Sequence, residues 1–188
     1  LFRLLKKKTD LPVPKVIDLD NSHKIISHDY MLLEKLPGIQ LESAFKGLPD
    51  KDKKKLAYDL GTSLAKIHSI NFSSAGHFRP DKLVRMTWKE LVWGLYLDSI
   101  NKIKKHKALQ PKAIEKIENF IEKNKGLLDV KFKPCLIHSD YNIHNILIEK
   151  GKISAILDME WSYSGHNEFE LAAMNVKLMR LIGEYEKE

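Results

Sequence analysis

Cysteine is nearly missing: Cys135 is the single one among 188 residues. One thiol closes no intramolecular disulfide framework and builds no multi-cysteine zinc site, and it suits a reducing cytosol. Long apolar runs are missing as well. The longest, residues 91–97, falls far short of the ~18 residues of a membrane span, and no secretory or transit signal opens the chain. A cytoplasmic protein with no membrane partner is expected. Arginine is scarce, at four of 32 basic residues (Arg3, Arg79, Arg85 and Arg180), although the net charge is +7. The lysines lie mostly on the polar faces of helical patterns. There is no aromatic-rich RNA-binding signature, zinc-finger spacing or recognition helix, so the basic balance reads as solvated helix surface and no nucleic-acid partner is expected. No internal repeat or low-complexity tract occurs, and nothing points to an obligate protein partner.

What is present fits a soluble globular protein: 43% hydrophobic and 30% charged residues exclude a disordered or collagenous chain. The length allows one domain, or a large lobe with a small appendage. Leu1, Phe2, Leu4 and Leu5 read as the tail of a helix, and a helical pattern is still running at Lys187-Glu188. A piece of something longer is expected.

Pro12 and Pro14 close the opening helix and start an extended segment. Residues 15–19 and 24–27 read as short strands across the turn Asp20-Asn21-Ser22, and residues 30–34 as a buried strand ending at Lys35-Leu36-Pro37-Gly38. The chain then turns helical. Pro49 precedes an amphipathic helix with Leu56, Leu60, Leu64 and Ile67 on one stripe, and residues 70–82 read as a loop. Thr87 with Glu90 forms a capping box before Trp88, Leu91, Val92, Leu95 and Ile103. Pro111 starts a helix with Ile114, Ile117 and Ile121 inward, ended by Gly126. Strands return at residues 135–137, 146–148 and 153–157, and from Glu168 a last helix runs on Phe169, Ala172, Ala173, Val176 and Met179. The order is that of an α+β fold, with a boundary near residues 35–41.

The chemistry is concentrated in His138-Ser139-Asp140-Tyr141-Asn142-Ile143-His144-Asn145 between two apolar strands, with Asp158 after a third. Strands flanking such a loop converge its acceptors on one face. Asp140, Asn145 and Asp158 supply hard oxygen donors around a divalent cation and a hydroxyl. That set suits magnesium, which takes few protein ligands and completes its shell with water and phosphate. A purely structural loop rarely puts three such groups between buried strands, because unpaired buried carboxylates are costly.

His138-Ser139-Asp140-x-x-x-x-Asn145 followed by Ile156-Leu157-Asp158 resembles the catalytic and metal-binding motifs of aminoglycoside phosphotransferase-like kinases, relatives of protein and choline kinases. Tyr30-Met31-Leu32-Leu33-Glu34-Lys35-Leu36-Pro37-Gly38 resembles their interlobe hinge. Leu60-Gly61-Thr62-Ser63-Leu64-Ala65-Lys66-Ile67-His68 resembles their helix ending in Leu-His, and residues 165–172 the segment closing their metal loop. The resemblance implies a protein-kinase-like fold. Residues 1–38 would be the end of an N-terminal lobe with its hinge, and residues 39–188 a helical catalytic lobe, truncated at its end and carrying a catalytic β-hairpin.

It also implies ATP-dependent, or other nucleoside triphosphate-dependent, transfer of phosphate to a hydroxyl of a small aminoglycoside-, choline- or sugar-like molecule. Asp140 would accept or orient the proton of the attacking hydroxyl, and Asn145 and Asp158 would hold Mg2+ on the phosphates. The backbone of Glu34, Lys35 and Leu36 would meet the adenine edge, and His138 would be loop support.

Plainer roles are expected elsewhere. His68 and His144 read as packing or surface residues, Glu170 as a helix cap three positions after Asn167, and Cys135 as an inert buried thiol. Trp88, Trp93 and Tyr96 read as core, while Glu160, two residues after Asp158, is a candidate for the substrate pocket. Ser139 stands where relatives often have glycine, His144 where they have a small residue or lysine, and His166-Asn167 where they often have Asp-Pro or Ser-Pro. No glycine-rich phosphate loop and no strand lysine paired with a helix glutamate precede the hinge, and Lys6, Lys7 and Lys8 lie at a helix end. The 188-residue chain alone is therefore expected to be inactive or severely impaired. The alternatives are a catalytically inactive kinase-like remnant or binding module, and a metal-dependent phosphohydrolase built on His138, Asp140, His144 and Asp158.

Overall fold

Proline and threonine set the starts of the three long helices. Helices α1 (Phe2–Lys8), α2 (Leu41–Lys46), α3 (Asp50–His68), α4 (Trp88–Lys105), α5 (Pro111–Asn124) and α6 (Asn167–Ala173) belong to a computed structural model that describes residues 1–79 and 82–173. Pro49 caps α3 and Pro111 is the first residue of α5, where a missing amide donor costs nothing. Thr87 accepts from the Glu90 amide while Glu90 accepts from the Thr87 amide. The expected capping box is therefore formed, and the Thr87 backbone donor holds the Glu90 carboxyl below its ordinary pKa.

The strands are β1 (Val16–Asp20), β2 (Tyr30–Leu33), β3 (Ile39–Gln40), β4 (Ala75–Phe78), β5 (Leu83–Met86), β6 (Cys135–Ile137), β7 (Ile146–Glu149), β8 (Lys152–Ile156) and β9 (Tyr163–Gly165). They form three small antiparallel sheets, ordered β1-β2, β3-β7-β8 and β5-β4-β9-β6. Together with the helices they make the mixed α+β architecture expected.

The stripe Leu56, Leu60, Leu64 and Ile67 of α3 is buried against Leu41, Leu136, Ile146 and Ile156. Phe2 and Leu5 of α1 and Leu11 and Val13 of the following segment join the same cluster. A second cluster gathers Ala75, Trp88, Leu91, Cys135, Ile137 and Tyr163, with Trp88 edge-on to Phe132 and Phe169. Strand β6 lies between the two. Alternation along a strand sends Leu136 into the first cluster and Cys135 and Ile137 into the second, so all three residues are buried. Burial pushes the Cys135 thiol up to about 11, which leaves it protonated and unreactive.

Several local expectations change. Residues 24–27 are bends, and β1 pairs instead with β2. Ile25 is 75% exposed and has no sheet to join. Strand β2 is only half-buried, with Met31 and Leu32 exposed, because a two-stranded sheet covers few of its own side chains. Residues 70–82 contain β4, which pairs with both β5 and β9. Gly76 and Ser164 sit opposite each other there, and small residues of this kind read as loop. The inward isoleucines of α5 are only partly buried, and Ile100 of α4 joins the core instead of Ile103. Helix α5 ends at Asn124, and Gly126 lies within a 3-10 turn, Lys125–Leu128. Val176 and Met179 lie outside the described residues. No helix among the described residues is long and apolar enough to cross a membrane.

These packing contrasts set a stability test. Leu60→Ala, at a site 1% exposed, is expected to lose about 2–5 kcal/mol in urea unfolding. Phe120→Ala, at a site 66% exposed, should stay within about 0.5 kcal/mol of the parent. Equal losses would contradict the assigned core.

Candidate active site

Strand β6 delivers the chain to His138, which is fully buried. The next residue, Ser139, takes φ +69, a left-handed conformation that costs a residue with a Cβ about 1–3 kcal/mol unless its surroundings impose it. Glu170 of α6 imposes it. Its carboxylate accepts from the His138 amide at 3.1 Å, from the Ser139 amide at 2.8 Å and from His68 Nε2 at 2.7 Å. Glu170 is 1% exposed, and its donors come from the loop and from the last residue of α3. The capping role expected of it is replaced by this one. A Glu three residues after an Asn reads as a cap, and only tertiary packing reveals the buried use.

From His138 the hydrogen bonds close a ring. His138 Nε2–H donates to the Leu157 carbonyl at 2.9 Å, and the Leu157 amide donates to the Asn145 carbonyl at 2.8 Å. Asn145 Nδ2 donates to Asp140 Oδ2 at 2.6 Å and to the Asp140 carbonyl at 2.9 Å. The Asp140 amide returns to His138 Nδ1 at 3.3 Å. One histidine thus links the loop to the strand end that carries Asp158. Burial holds the His138 pKa below its ordinary value, against the opposing pull of Glu170. The ring is neutral, with its proton on Nε2.

Asp140 also accepts from Asn142 Nδ2 at 2.5 Å, so both carboxylate oxygens have fixed directions. Because Asn145 spends its amide hydrogens on Asp140, its Oδ1 remains the acceptor. Asp158, at φ +57, follows Leu157 directly and accepts from the Glu160 amide at 3.4 Å. The structure therefore brings Asp140 and Asn145 into contact and ties Asn145 through Leu157 to the residue before Asp158. The Tyr141 hydroxyl donates to the Leu60 carbonyl at 3.0 Å, and Ser162 Oγ donates to the His138 carbonyl at 3.3 Å. Both fasten the loop to its surroundings.

The donor chemistry of Asn145 and Asp158 fits magnesium, since an amide oxygen and a carboxylate are both hard oxygen donors. No group of three or more His, Cys, Asp or Glu side chains able to hold a metal occurs among the described residues. His138 faces the Leu157 carbonyl and His144 is exposed. The metal-dependent phosphohydrolase centre is therefore not assembled.

Asp158, Met159 and Glu160 form one side of a cleft of about 520 Å³, whose other walls include Val16, Leu19, Met31 and Leu33. Glu34, Lys35 and Leu36 follow Leu33 of that wall but do not line the cleft. The Glu34 amide donates to the Lys15 carbonyl, and its carboxylate accepts from the Lys15 amide and pairs with Lys6. Lys35 is exposed and Leu36 half-buried. Gly38, at φ +123, turns the chain into β3 where a Cβ would meet Ser154 Oγ and the Ile148 carbonyl. Trp88 is core, as expected, while Trp93 and Tyr96 stack on each other on a half-buried face of α4.

Two measurements test this scaffold. Glu170→Gln leaves a buried donor unmet and is expected to cost about 1–3 kcal/mol, with faster hydrogen exchange at the His138 and Ser139 amides. Unchanged protection would contradict the anchor. A folded His138 that resists protonation, against an unfolded value near 6.5, gives stability that is complete above pH ~6.5. It falls below that by at most ~1.4 kcal/mol per pH unit from this group. Imidazole nitrogen spectra at pH 6 should show a neutral Nε2–H tautomer, and a charged ring would contradict the arrangement.

The chain matches the Phosphotransferase enzyme family over residues 1–180. Its fold is similar to that of a thermostable mutant of aminoglycoside phosphotransferase APH(4)-Ia in ternary complex with AMP-PNP and hygromycin B. There the TM-score is 0.68 and the identity 18%, over 91% of this chain and 58% of that one. The gentamicin complex of APH(2'')-IIa gives a TM-score of 0.65 at 22% identity, over 100% of this chain and 63% of that one. In sequence it is 25% identical to acyl-CoA dehydrogenase family member 10 of Mus musculus over 177 residues, 87% of this chain and 15% of that protein. The chain thus spans only part of each of these relatives. The family match covers nearly the whole chain and the fold is protein-kinase-like, and the chain belongs to the phosphotransferase enzyme family.

Proposed function

We propose that this chain carries the hinge and catalytic lobe of an ATP-dependent kinase that phosphorylates a hydroxyl of a small aminoglycoside-, choline- or sugar-like molecule. The observation that carries the reading is the hydrogen-bonded ring His138–Leu157–Asn145–Asp140, which orients the Asp140 carboxylate and the Asn145 side chain and reaches the residue before Asp158, which lines a cleft. Magnesium, when bound, neutralises the developing charge on the transferred phosphoryl group.

The protein's own part is positioning. Asp140, with both oxygens oriented by Asn142 and Asn145, aligns the substrate hydroxyl and takes its proton. Asn145 Oδ1 and Asp158 hold the cation on the phosphates. The backbone of Glu34, Lys35 and Leu36 receives the adenine edge, and Glu160, exposed beside Asp158, contacts a polar group of the substrate. His138 stays neutral and holds the loop. A cytoplasmic setting supplies nucleotide and magnesium, and a lone buried thiol at Cys135 fits it.

The alternative is binding with weak or absent turnover. Both readings are tested together by nucleotide binding and by ADP release over a panel of aminoglycosides, choline and sugar alcohols. Where turnover is measured, Asp140→Ala is expected to lower it about 10²–10⁴-fold while nucleotide affinity is kept. Full rate in Asp140→Ala removes that residue from the base role. Binding without ADP release selects the second reading, and no nucleotide binding removes both.

A further inference from the structure

The cleft beside Asp158 contains a charge that the proposed reaction has not used. Helix α1 turns Phe2 and Leu5 into the core and leaves Arg3 exposed, and Arg3 lines the same cleft as Asp158 and Glu160. It is the only basic side chain among the residues lining that space. The neighbouring Lys6 is already paired with Glu34, whereas Arg3 has no ion pair or hydrogen bond among the described residues. Neither Asp158 nor Glu160 forms a salt bridge there either. One guanidinium and two carboxylates thus share an apolar-walled cleft of about 520 Å³ that is also lined by Leu1, whose amino group is held below its ordinary pKa by burial and by Arg3.

The signs restrict what such a space accepts. A bare polyanion meets two carboxylates and a bare cation meets the guanidinium, and apolar walls strengthen both repulsions. A magnesium-complexed polyphosphate presents both signs at once: the cation to carboxylate oxygen, and phosphate oxygens to the guanidinium. The planar guanidinium fork matches two phosphate oxygens in a way a lysine does not.

We propose that Arg3 is the phosphate-binding cation of this cleft, contacting the polyphosphate of a magnesium–nucleoside triphosphate held on its other side by Asp158. The proposal rests on the nucleotide-binding reading above and adds to it a residue of this chain that balances phosphate charge on the side of the cleft opposite Asp158.

The test is calorimetric titration of this chain, Arg3→Met and Arg3→Lys with Mg·ATP and, separately, with adenosine. Urea unfolding checks that the variants fold, as expected for an exposed position. Loss of one charge-assisted contact should weaken Mg·ATP about 10- to 100-fold in Arg3→Met. Adenosine affinity should be unchanged, and Arg3→Lys should fall between. Mg·ATP binding as tight in Arg3→Met as in the parent overturns the proposal and leaves the nucleotide reading standing. Equal weakening of adenosine and Mg·ATP also overturns it, because the residue then acts through the fold. A parent chain that binds neither probe removes the nucleotide reading itself.

Discussion

Glu170 places a carboxylate in the protein interior and surrounds it with three donors: the amides of His138 and Ser139 and the ring of His68. A buried charge is tolerated only when it is paired and hydrogen-bonded, and this one joins three separate pieces of chain. Helix α3 arrives through His68, strand β6 through His138, and α6 carries the carboxylate itself. The bonds to successive amides bend the backbone at Ser139 into its left-handed turn. That turn directs Asp140 away from the strand and toward Asn142 and Asn145. Asp140 and Asn145 lie in the loop that this contact turns out of β6.

The surroundings have two characters. Below the loop, Leu60, Leu136, Ile146 and Ile156 are within 1% of complete burial, and Tyr141 ties the loop to α3 through the Leu60 carbonyl. Dense packing resists small displacements, which suits a reaction whose protein contribution is positioning. Above it, the β1–β2 ladder gives Met31 and Leu33 to the cleft and exposes Ile17 and Leu32. The ladder has few buried contacts, and it reaches the rest of the protein partly through surface pairs such as Lys6–Glu34. Such pairs contribute little to stability. Buried packing is therefore concentrated around the loop that carries Asp140 and Asn145.

Much of this was legible in the residues themselves. The 3.6-residue stripe of α3 and the capping box at Thr87 are local signals, and both elements form where those signals put them. The spacing of His138, Asp140 and Asn145 with the later Asp158 pointed to the loop and the strand end that the structure ties together. Other features depend on partners distant in sequence. Strand β4 contains Gly76 and strand β9 is Tyr163-Ser164-Gly165, so neither has the β-branched run that marks a strand. They pair because the burial of β6 leaves its edge in need of a partner. The role of Glu170 was hidden for a similar reason, since its donors lie 31, 32 and 102 residues away. Ser139 did carry a signal: relatives often have glycine at this point of the motif, and the positive φ gives the physical reason.

The most direct test of the account is an amide spectrum of the isotopically labelled chain recorded during titration with Mg·ATP. The preformed ring predicts saturable shifts at Asp140, the Asn145 side-chain amide, Leu157 and Asp158, joined by the residues from Leu33 to Leu36. Shifts absent from these positions, or confined to the groove lined by Lys104, Leu109, Pro111 and Glu118, would contradict a nucleotide phosphate site at this loop.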